Sequence, residues 1–335
     1  MQAYRVVSDQ GFDAIERTEL PDPTPEHGEV VVRVRAASLN YRDLVIAKGG
    51  YPRNDTRPVV PLSDAAGEVE AVGPGVDDWT AGDRVCPNFL PQWSTGAVTE
   101  AALRGALGGG VDGVLAERVK VPARALVRVP EHLSFEEAST LPCAALTAWN
   151  GLTSAGVKAG DHVLLLGTGG VSIFALQLAK AMGARVTITS SSDDKLQKAR
   201  SLGADDTINY KTSPEWHEEV LGLTAGRGVD AVLEVGGPGT LERSIQSTRV
   251  GGTVSLIGML SEGTPSVLPV FLHAQRLLGI YVGSAEMFSA MNRAIEVSRI
   301  KPVIDGTFGF DEAPEAYRYF AGQQHVGKVV ITGVS

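Results

Sequence analysis

The chain has 335 residues, of which 43% are hydrophobic and 21% are charged, and its formal net charge is −9. The length is sufficient for two domains that each bury a core. The sequence disfavours a membrane-spanning protein, because it has no run of about 18 apolar residues. It also disfavours an exported protein, because the N-terminus lacks the pattern of a signal peptide, and a nucleic-acid-binding protein, because the basic residues form no stripe. We therefore expect a cytoplasmic protein of two domains.

The N-terminal third of the chain has the pattern of an all-β module. Val30, Val32 and Val34 alternate with other residues, as in a half-buried strand. Shorter segments separated by Gly and Pro continue the pattern, namely AGEVEAVG, DRVCP, LAERVKVP and ALVRVP. Residues 88 to 113 have weak periodicity, and we predict a long loop there.

Beyond residue 131 the pattern changes to alternating strands and helices. HVLLLG is a short apolar run of the kind that forms a buried parallel strand, and amphipathic helices separate it from later strands. Repeated βα units predict an open parallel sheet. The fold class is therefore α/β, with a β-rich domain formed by residues 1–126 and 297–335 and a doubly wound parallel sheet domain formed by residues 127–296.

The segment GTGGVS follows a predicted strand and opens a predicted helix, which is the context of a dinucleotide-binding loop. Gly167 allows a tight turn, and Gly169 allows a pyrophosphate to approach the N–H groups at the helix N-terminus, together with Gly170 and Val171. Ser172 replaces the third glycine and is small enough for close packing. The sequence predicts a bound dinucleotide.

The end of the second strand of this domain favours NADP(H) over NAD(H). An NAD site usually has a carboxylate there, whereas this chain has Ser190, Ser191 and Ser192. Ser192 is predicted to cap a helix whose first turn contains Lys195, a cation that opposes the helix dipole and that a bound phosphate would explain. Tyr210 could add a hydroxyl. The alternatives are a solvated lysine and an ordinary tyrosine at a strand end.

These motifs, with the overall layout, resemble the medium-chain dehydrogenase/reductase superfamily. The matching segments include AGEVEAVGPGV, LPCAALTAWNGL, GADDTINY, GVDAVLEVGG and the terminal GKVVI. Within the superfamily, the chain is most similar to zinc-independent, quinone-oxidoreductase-like members. The resemblance implies a GroES-like β-rich domain, a Rossmann domain and usually a homodimer paired through the Rossmann sheet edge.

The resemblance also predicts that the chain has no zinc site. Zinc-dependent relatives have a cysteine where this chain has Asn40, and a Gly-His-Glu motif where it has Leu62, Ser63 and Asp64. Cys143 alone remains of the ligand set, and one thiolate cannot form a three-ligand catalytic zinc site. Cys143 is then a small buried residue or, alternatively, a reactive thiol.

Further site residues are implied by motif position. Thr147 is expected near the nicotinamide ribose, and Gly258 and Met259 at a strand end that touches the nicotinamide. Val282 and Ser284, with Gly283 between them, would offer backbone groups to the carboxamide, and Lys328 would reach the phosphates or the ribose.

The candidate catalytic residues lie in the segment SLNYRDLVIAKGGYP. Asn40 could donate through its amide, and Tyr41 follows it directly. Tyr51 matches a tyrosine that acts as proton donor or substrate orienter in related enoyl-thioester reductases. The alternative for both tyrosines is a role in the pocket wall, and Asp43 is expected to be structural.

The leading hypothesis is a reductase that transfers hydride from NADPH to a quinone or an α,β-unsaturated carbonyl without a metal. Such an acceptor is already activated, so that hydrogen-bond donors and a proton source suffice. Two alternatives stay open: a zinc-free NADP-dependent alcohol or carbonyl dehydrogenase, and a non-catalytic NADPH-binding sensor. The expected partners are a small-molecule carbonyl, enone or quinone and a second copy of the chain.

Overall fold

A computed structural model describes residues 1–7, 11–50 and 58–334. The contacts divide the chain into two compact units, Met1–Leu146 with Val282–Ser335 and Thr147–Tyr281. The first unit therefore contains residues from both ends of the chain.

The first unit contains strands from both of its segments. Its N-terminal segment consists of β1 (Gln2–Val6), β2 (Ile15–Glu19), β3 (Glu29–Ser38), α1 (Tyr41–Ala47), β4 (Asp64–Val72), β5 (Arg84–Pro87), α2 (Glu100–Arg104), β6 (Arg118–Pro122), β7 (Leu126–Arg128) and α3 (Phe135–Ser139), followed by one π-helical segment (Leu141–Ala145). Its C-terminal segment consists of α10 (Ala285–Ser298), β14 (Ile304–Gly309), α11 (Ala313–Ala321) and β15 (Lys328–Thr332).

The sheet of the first unit joins the two ends of the chain. Its strand order is β14-β15-β3-β4-β5-β7, with β6 also paired to β3. β15 pairs antiparallel with β3 and parallel with β14. Alternating valines of β3 are fully buried in the core, as their period of two requires. This pairing brings the start of β15 to the end of β3, where Asn40 follows.

The second unit alternates strands and helices. It consists of α4 (Leu146–Ala155), β8 (His162–Leu166), α5 (Gly170–Ala181), β9 (Arg185–Ser190), α6 (Asp193–Ser201), β10 (Asp206–Asn209), α7 (Trp216–Leu223), β11 (Val229–Glu234), α8 (Pro238–Ser247), β12 (Thr248–Leu256), α9 (Leu268–Leu272) and β13 (Arg276–Gly279).

The six strands of the second unit form a parallel sheet in the order β10-β9-β8-β11-β12-β13. The order reverses between β9 and β11 on the two sides of β8, and ligands of such sheets bind beyond the carboxyl ends of the strands at this point. β8 and β11 are buried along their whole length, which explains the apolar run of residues 163–166 in β8. β11 also buries two carboxylates, Asp230 and Glu234.

Two features differ from the sequence-based expectations. The predicted loop over residues 88–113 contains the short helix α2, which Thr99 caps by accepting a hydrogen bond from the N–H of Ala102. Residues 127–146 and 282–296, predicted in the second domain, are grouped with the first unit. Within that unit, the Asn292 amide of α10 donates to the carbonyl of Arg128 at 2.8 Å. The domain boundaries stay a prediction, because grouping by contacts does not define a folding domain.

Candidate functional site

The glycine-rich loop of the second unit lies between β8 and α5. Gly167 has φ of +71°, in the left-handed region that glycine adopts at no steric cost. Gly169 is the N-cap of α5 and makes no side-chain cap, so the N–H groups of the first turn lack that partner. A Cβ added at either position would meet no protein atom within 4 Å. The loop therefore has space and donors for a phosphate group.

Ser172 occupies the position of the third glycine of the fingerprint and packs against the strand that precedes the loop. The Ser172 hydroxyl is buried and donates to the carbonyl of Leu166, at the end of β8, at 2.6 Å. This bond ties the first turn of α5 to the strand that precedes the loop. Gly170 and Val171 lie on the same turn, before Ser172.

Ser190, Ser191 and Ser192, which we call the serine corner, lie at the carboxyl end of β9, beside the carboxyl end of β10. The carbonyl of Ser190 accepts a hydrogen bond from the N–H of Tyr210 at 3.0 Å, which brings these two predicted residues together. Ser191 follows Ser190 and is half-buried. The predicted cap by Ser192 is present, because its hydroxyl accepts from the N–H of Lys195 at 3.5 Å.

One residue of this corner is absent from the sequence-based prediction. Asp193 is the first residue of α6, and its carboxylate accepts a hydrogen bond from the side-chain amide of Asn209 at 2.7 Å. A carboxylate beside the serines works against a bound 2′-phosphate and favours a ribose hydroxyl. The signal was its position directly after Ser192.

A buried carboxylate, which the sequence-based prediction also lacked, shapes the loops after β11 and β12. The Glu234 side chain is fully buried and accepts hydrogen bonds from the N–H groups of Gly236 and Gly237 and from the Thr240 hydroxyl. At the end of β12, a Cβ at Gly258 would lie 1.8 Å from the Val235 carbonyl oxygen. Gly258 is thus required by close backbone approach, whereas the Met259 side chain is 78% exposed.

The remaining residues expected around the nicotinamide lie in both units. Thr147 is buried in the first turn of α4, in the second unit. Val282 is buried with φ of +48° and Ser284 caps α10, both in the first unit. The Ser284 hydroxyl accepts from the N–H of Met287 at 3.1 Å, so this side chain already has a structural role.

A buried polar cluster occupies the first unit where β3, α1, β4 and β15 meet. We call Asn40, Asp64 and Lys328 the Asn40 cluster. The Lys328 ammonium donates to the side-chain oxygen of Asn40 at 2.6 Å and to the carbonyl of Leu39 at 2.7 Å, and it lies 3.7 Å from an Asp64 carboxylate oxygen. Lys328 is only 2% exposed. The expectation that Lys328 reaches a phosphate or the ribose stays a prediction; in the structure its ammonium contacts Leu39, Asn40 and Asp64.

The orientation of the Asn40 amide follows from its bond to Lys328. An ammonium can only donate, so the oxygen of the amide faces Lys328 and the nitrogen Nδ2 faces the opposite way. Asn40 is 8% exposed, and its Nδ2 has no hydrogen-bond partner among the described residues. A buried unsatisfied donor is costly, about 1–3 kcal/mol, and marks a position at which a ligand could accept the bond.

Asp43 fixes the backbone of Asn40. Its carboxylate accepts a hydrogen bond from the Asn40 N–H at 2.7 Å, at the start of α1. Burial raises the pKa of Asp43 from 3.8 to about 6. The structural role expected for Asp43 agrees with this contact.

Cys143 is held next to the Asn40 cluster through its backbone. Its N–H donates to the Asp64 carboxylate at 3.1 Å, and the Ser63 hydroxyl donates to the other oxygen of Asp64 at 2.6 Å. Burial raises the pKa of the Cys143 thiol. A thiol that resists ionisation is a poor nucleophile, which favours the structural alternative for Cys143.

The two candidate tyrosines have different outcomes. Tyr41 is the first residue of α1 and is 41% exposed. Tyr51 lies outside the described residues.

Two family models match the chain. The model described as an alcohol dehydrogenase GroES-like domain matches residues 26–131, and the model described as a zinc-binding dehydrogenase matches residues 170–296. The chain belongs to the medium-chain dehydrogenase/reductase superfamily. The predicted fold class, a GroES-like β-rich domain with a doubly wound Rossmann domain, is confirmed. The chain is accordingly an oxidoreductase of this superfamily type.

Individual relatives span nearly the whole chain. A zinc-type alcohol dehydrogenase-like protein of Schizosaccharomyces pombe is 49% identical over 97% of this chain and 98% of its own length. The structure of an NAD-dependent alcohol dehydrogenase has a TM-score of 0.90 and 37% identity, with 99% of each chain covered. The structure of the 2-octenoyl-CoA carboxylase reductase CinF in complex with NADP and 2-octenoyl-CoA has a TM-score of 0.86 and 27% identity, covering 99% of this chain and 87% of that one.

The donor set of the Asn40 cluster does not fit the zinc ion that the family model's description implies. Within residues 1–7, 11–50 and 58–334, no three His, Cys, Asp or Glu side chains group as metal ligands. The cluster has an amide at Asn40, and the Lys328 ammonium lies within 4 Å of Asp64, where it would repel a divalent cation.

None of the described helices is long and apolar enough to cross a membrane.

Proposed function

We propose that the chain is an NADP(H)-dependent reductase that transfers hydride to a quinone or an α,β-unsaturated carbonyl without a metal. The observation that carries this proposal is the buried Nδ2 of Asn40, which has no hydrogen-bond partner in the part of the chain that the structure describes and which the Lys328 ammonium holds in one orientation. In zinc-dependent relatives the corresponding position is a metal ligand, by the resemblance of the sequences. Here the same position holds a hydrogen-bond donor.

The proposed reaction requires from the protein a hydrogen-bond donor to the acceptor oxygen and a source of one proton. Bound NADPH supplies the hydride, and reduction of an enone or quinone then develops negative charge on the acceptor oxygen. An amide donor fixed in a buried site stabilises such charge, and the loss of one such donor in other enzymes costs about 10²- to 10³-fold in kcat. We propose Asn40 as that donor, with Tyr41 or Tyr51 as the source of the proton. The acceptor class is supported by CinF, a 2-octenoyl-CoA carboxylase reductase whose structure holds 2-octenoyl-CoA, an α,β-unsaturated thioester.

We also propose where the chain holds the dinucleotide. The open space at Gly169 and the N–H groups of α5 suit the pyrophosphate. Within the second unit, the serine corner suits the adenosine ribose, while Thr147 and the Gly258 strand end suit the nicotinamide half. NADP(H) is our preferred form because of Ser190, Ser191, Lys195 and Tyr210, with CinF as an NADP-bound relative.

A second candidate is a zinc-free alcohol or carbonyl dehydrogenase. It is favoured by the structural likeness to an alcohol dehydrogenase at 37% identity. A non-catalytic NADPH sensor is the third. It would need the same loop at Gly167 to Val171 but no function for the Asn40 amide.

A substrate panel separates these candidates. Purified protein treated with a chelator is mixed with NADPH and, in turn, a quinone, an enone, an enoyl thioester, a simple ketone and an aldehyde, while absorbance at the NADPH maximum is followed. Oxidation with the first three acceptors supports the proposed reductase. Oxidation with only the ketone or aldehyde supports the dehydrogenase, and NADPH binding without oxidation by any acceptor supports the sensor. Loss of activity on chelation that zinc restores would refute metal independence.

We propose that the chain forms a homodimer through the edge of the Rossmann sheet. β13 is the terminal strand of that sheet among the described residues. Several large apolar side chains near it are about half exposed or more, and Phe271 is 81% exposed: Met259, Leu260, Val267, Leu268, Phe271 and Leu272. Large exposed apolar side chains concentrated in two short segments are typical of an interaction surface.

Sedimentation analysis tests the dimer. Wild-type chain should sediment as a dimer, and Phe271→Asp with Leu272→Asp should shift it to a monomer because charges would be buried at the interface. Val297→Asp is the matched control, since Val297 is 85% exposed and lies in the other unit. A monomeric wild type at micromolar concentration would contradict the proposal. A cytoplasmic location stays a prediction.

A further inference from the structure

We propose that Lys328 is a positioning residue that acts through Asn40: its ammonium orients the Asn40 amide and strengthens Nδ2 as a donor to the acceptor oxygen. This inference rests on the proposed reductase function and adds a residue to it. It also assigns to Lys328 a role other than contact with the cofactor phosphates.

The bond to Lys328 fixes the rotation of the Asn40 side-chain amide. A free asparagine amide can rotate by 180° and present either oxygen or nitrogen to a ligand. With the Asn40 oxygen 2.6 Å from the Lys328 ammonium, rotation would place the amide N–H₂ against a cation and lose the bond. The amide therefore has one favoured state, in which Nδ2 is free to donate. The chain backbone is fixed as well, by the bond from the Asn40 N–H to Asp43.

A second observation concerns the Lys328 ammonium itself. Its position is fixed by the carbonyl of Leu39 at 2.7 Å, and Asp64, which is fully buried, provides the opposite charge at 3.7 Å. A hydrogen bond from a charged donor is stronger than one between neutral groups, and chains of hydrogen bonds polarise one another in a low dielectric. An ammonium on the amide oxygen withdraws electron density and makes the Nδ2 hydrogens more acidic.

This arrangement can be compared with a metal site. In a zinc-dependent dehydrogenase, a metal ion supplies the positive charge that stabilises the oxyanion. In this chain the ligand set is incomplete, and a fixed ammonium lies behind a neutral donor at the same position. The positive charge is thus supplied by Lys328 and transmitted through one amide.

A double-mutant cycle on Asn40 and Lys328 tests the inference. Asn40→Ala, Lys328→Met and the double variant are compared with wild type for kcat and for the KM of NADPH, using the best acceptor of the panel. We expect Asn40→Ala to lose about 10²- to 10³-fold in kcat because it removes the donor itself. Lys328→Met should lose about 10- to 100-fold, because small errors in positioning have effects of that size. The KM of NADPH should change by less than about twofold, and the double variant should lose no more than Asn40→Ala.

Two further variants control for folding and for charge. Lys328→Met leaves Asp64 buried without its ion pair, so Lys328→Met with Asp64→Asn keeps the charge balance and should recover thermal stability but not kcat. Lys120→Met removes a lysine of the same unit that pairs with Glu29 at 3.0 Å, away from the cluster, and should leave kcat unchanged.

A readout without cofactor or substrate completes the test. In the ligand-free protein, the side-chain amide resonance of Asn40, identified by its loss in Asn40→Ala, should shift in Lys328→Met and not in Lys120→Met. An unshifted resonance would contradict the inference.

The kinetic outcomes separate the inference from the function on which it rests. Additive losses in kcat would overturn the role of Lys328 through Asn40. A rise of about tenfold or more in the KM of NADPH with kcat unchanged would also overturn it, since that pattern indicates lost cofactor binding. If wild-type protein oxidises NADPH with none of the acceptors of the panel, both the proposed function and this inference are refuted.

Discussion

Gly169→Ala separates cofactor binding from folding. Gly169 has φ of −75°, which alanine adopts without strain, and its added Cβ would meet no protein atom within 4 Å. Replacing glycine by alanine at a compatible position stabilises by about 0.4–1 kcal/mol, while alanine is a poorer N-cap than glycine by a comparable amount. The free energy of unfolding should therefore change by less than about 1 kcal/mol.

The effect on the dinucleotide should be much larger. If the pyrophosphate lies on the Gly169 backbone, the methyl group takes the place of a phosphate oxygen and breaks one hydrogen bond to a charged group, which is worth about 1.5–3 kcal/mol. The Kd of NADPH should rise by about 10- to 100-fold. Fluorescence titration of NADPH and thermal unfolding of the ligand-free protein measure the two quantities independently.

Gly222→Ala is the control for this experiment. Gly222 lies in α7, and a Cβ there also meets nothing within 4 Å. The control should keep the NADPH affinity and gain up to about 1 kcal/mol in helix stability. Unchanged NADPH affinity in Gly169→Ala would show that the dinucleotide does not use this loop.

Three further predictions concern Lys195 in the serine corner, Gly258 after β12, and Asp43 in α1. Lys195→Ala should weaken NADPH much more than NADH in binding titrations, and equal losses or none would remove the phosphate-binding assignment. Gly258→Ala should lower the free energy of unfolding by about 3 kcal/mol because its Cβ would lie 1.8 Å from the Val235 carbonyl oxygen, and a melting temperature like that of Gly222→Ala would refute the clash. Burial raises the pKa of Asp43 from 3.8 to about 6, so its protonated form is favoured in the folded protein; stability should fall as pH rises from about 4 to about 6, and Asp43→Asn should flatten that part of a denaturation profile. An unchanged slope in Asp43→Asn would show that another group titrates there.

The fold was readable from the sequence because its signals are local. Short apolar runs such as β8, glycine before α5 and the Ser192 cap each predict one element with one physical cause. The order of elements then determines the parallel sheet. α2 was missed because it has only five residues and no apolar periodicity of its own.

The site was less readable because its decisive contacts are distant in sequence. Lys328 meets Asn40 across 288 positions, and only the pairing of β15 with β3 brings them together. Sequence resemblance suggested a phosphate partner for Lys328, whereas burial beside Asp64 supplies another. Glu234 was missed for the same kind of reason. In the sequence, a carboxylate at a strand end has the pattern of a surface residue, and only the structure shows the N–H and hydroxyl groups that donate to it.

The place of β15 within its sheet has a consequence for biosynthesis. This strand lies between β14 and β3, yet it is formed from residues 328–332, after every residue of the second unit has been made. The second unit can thus reach its native state during translation, while residues 36–38 of β3 wait for their partner strand β15. Chaperone capture on the ribosome should therefore concentrate on that earlier segment, and nascent chains arrested before β15 should remain sensitive to proteolysis there.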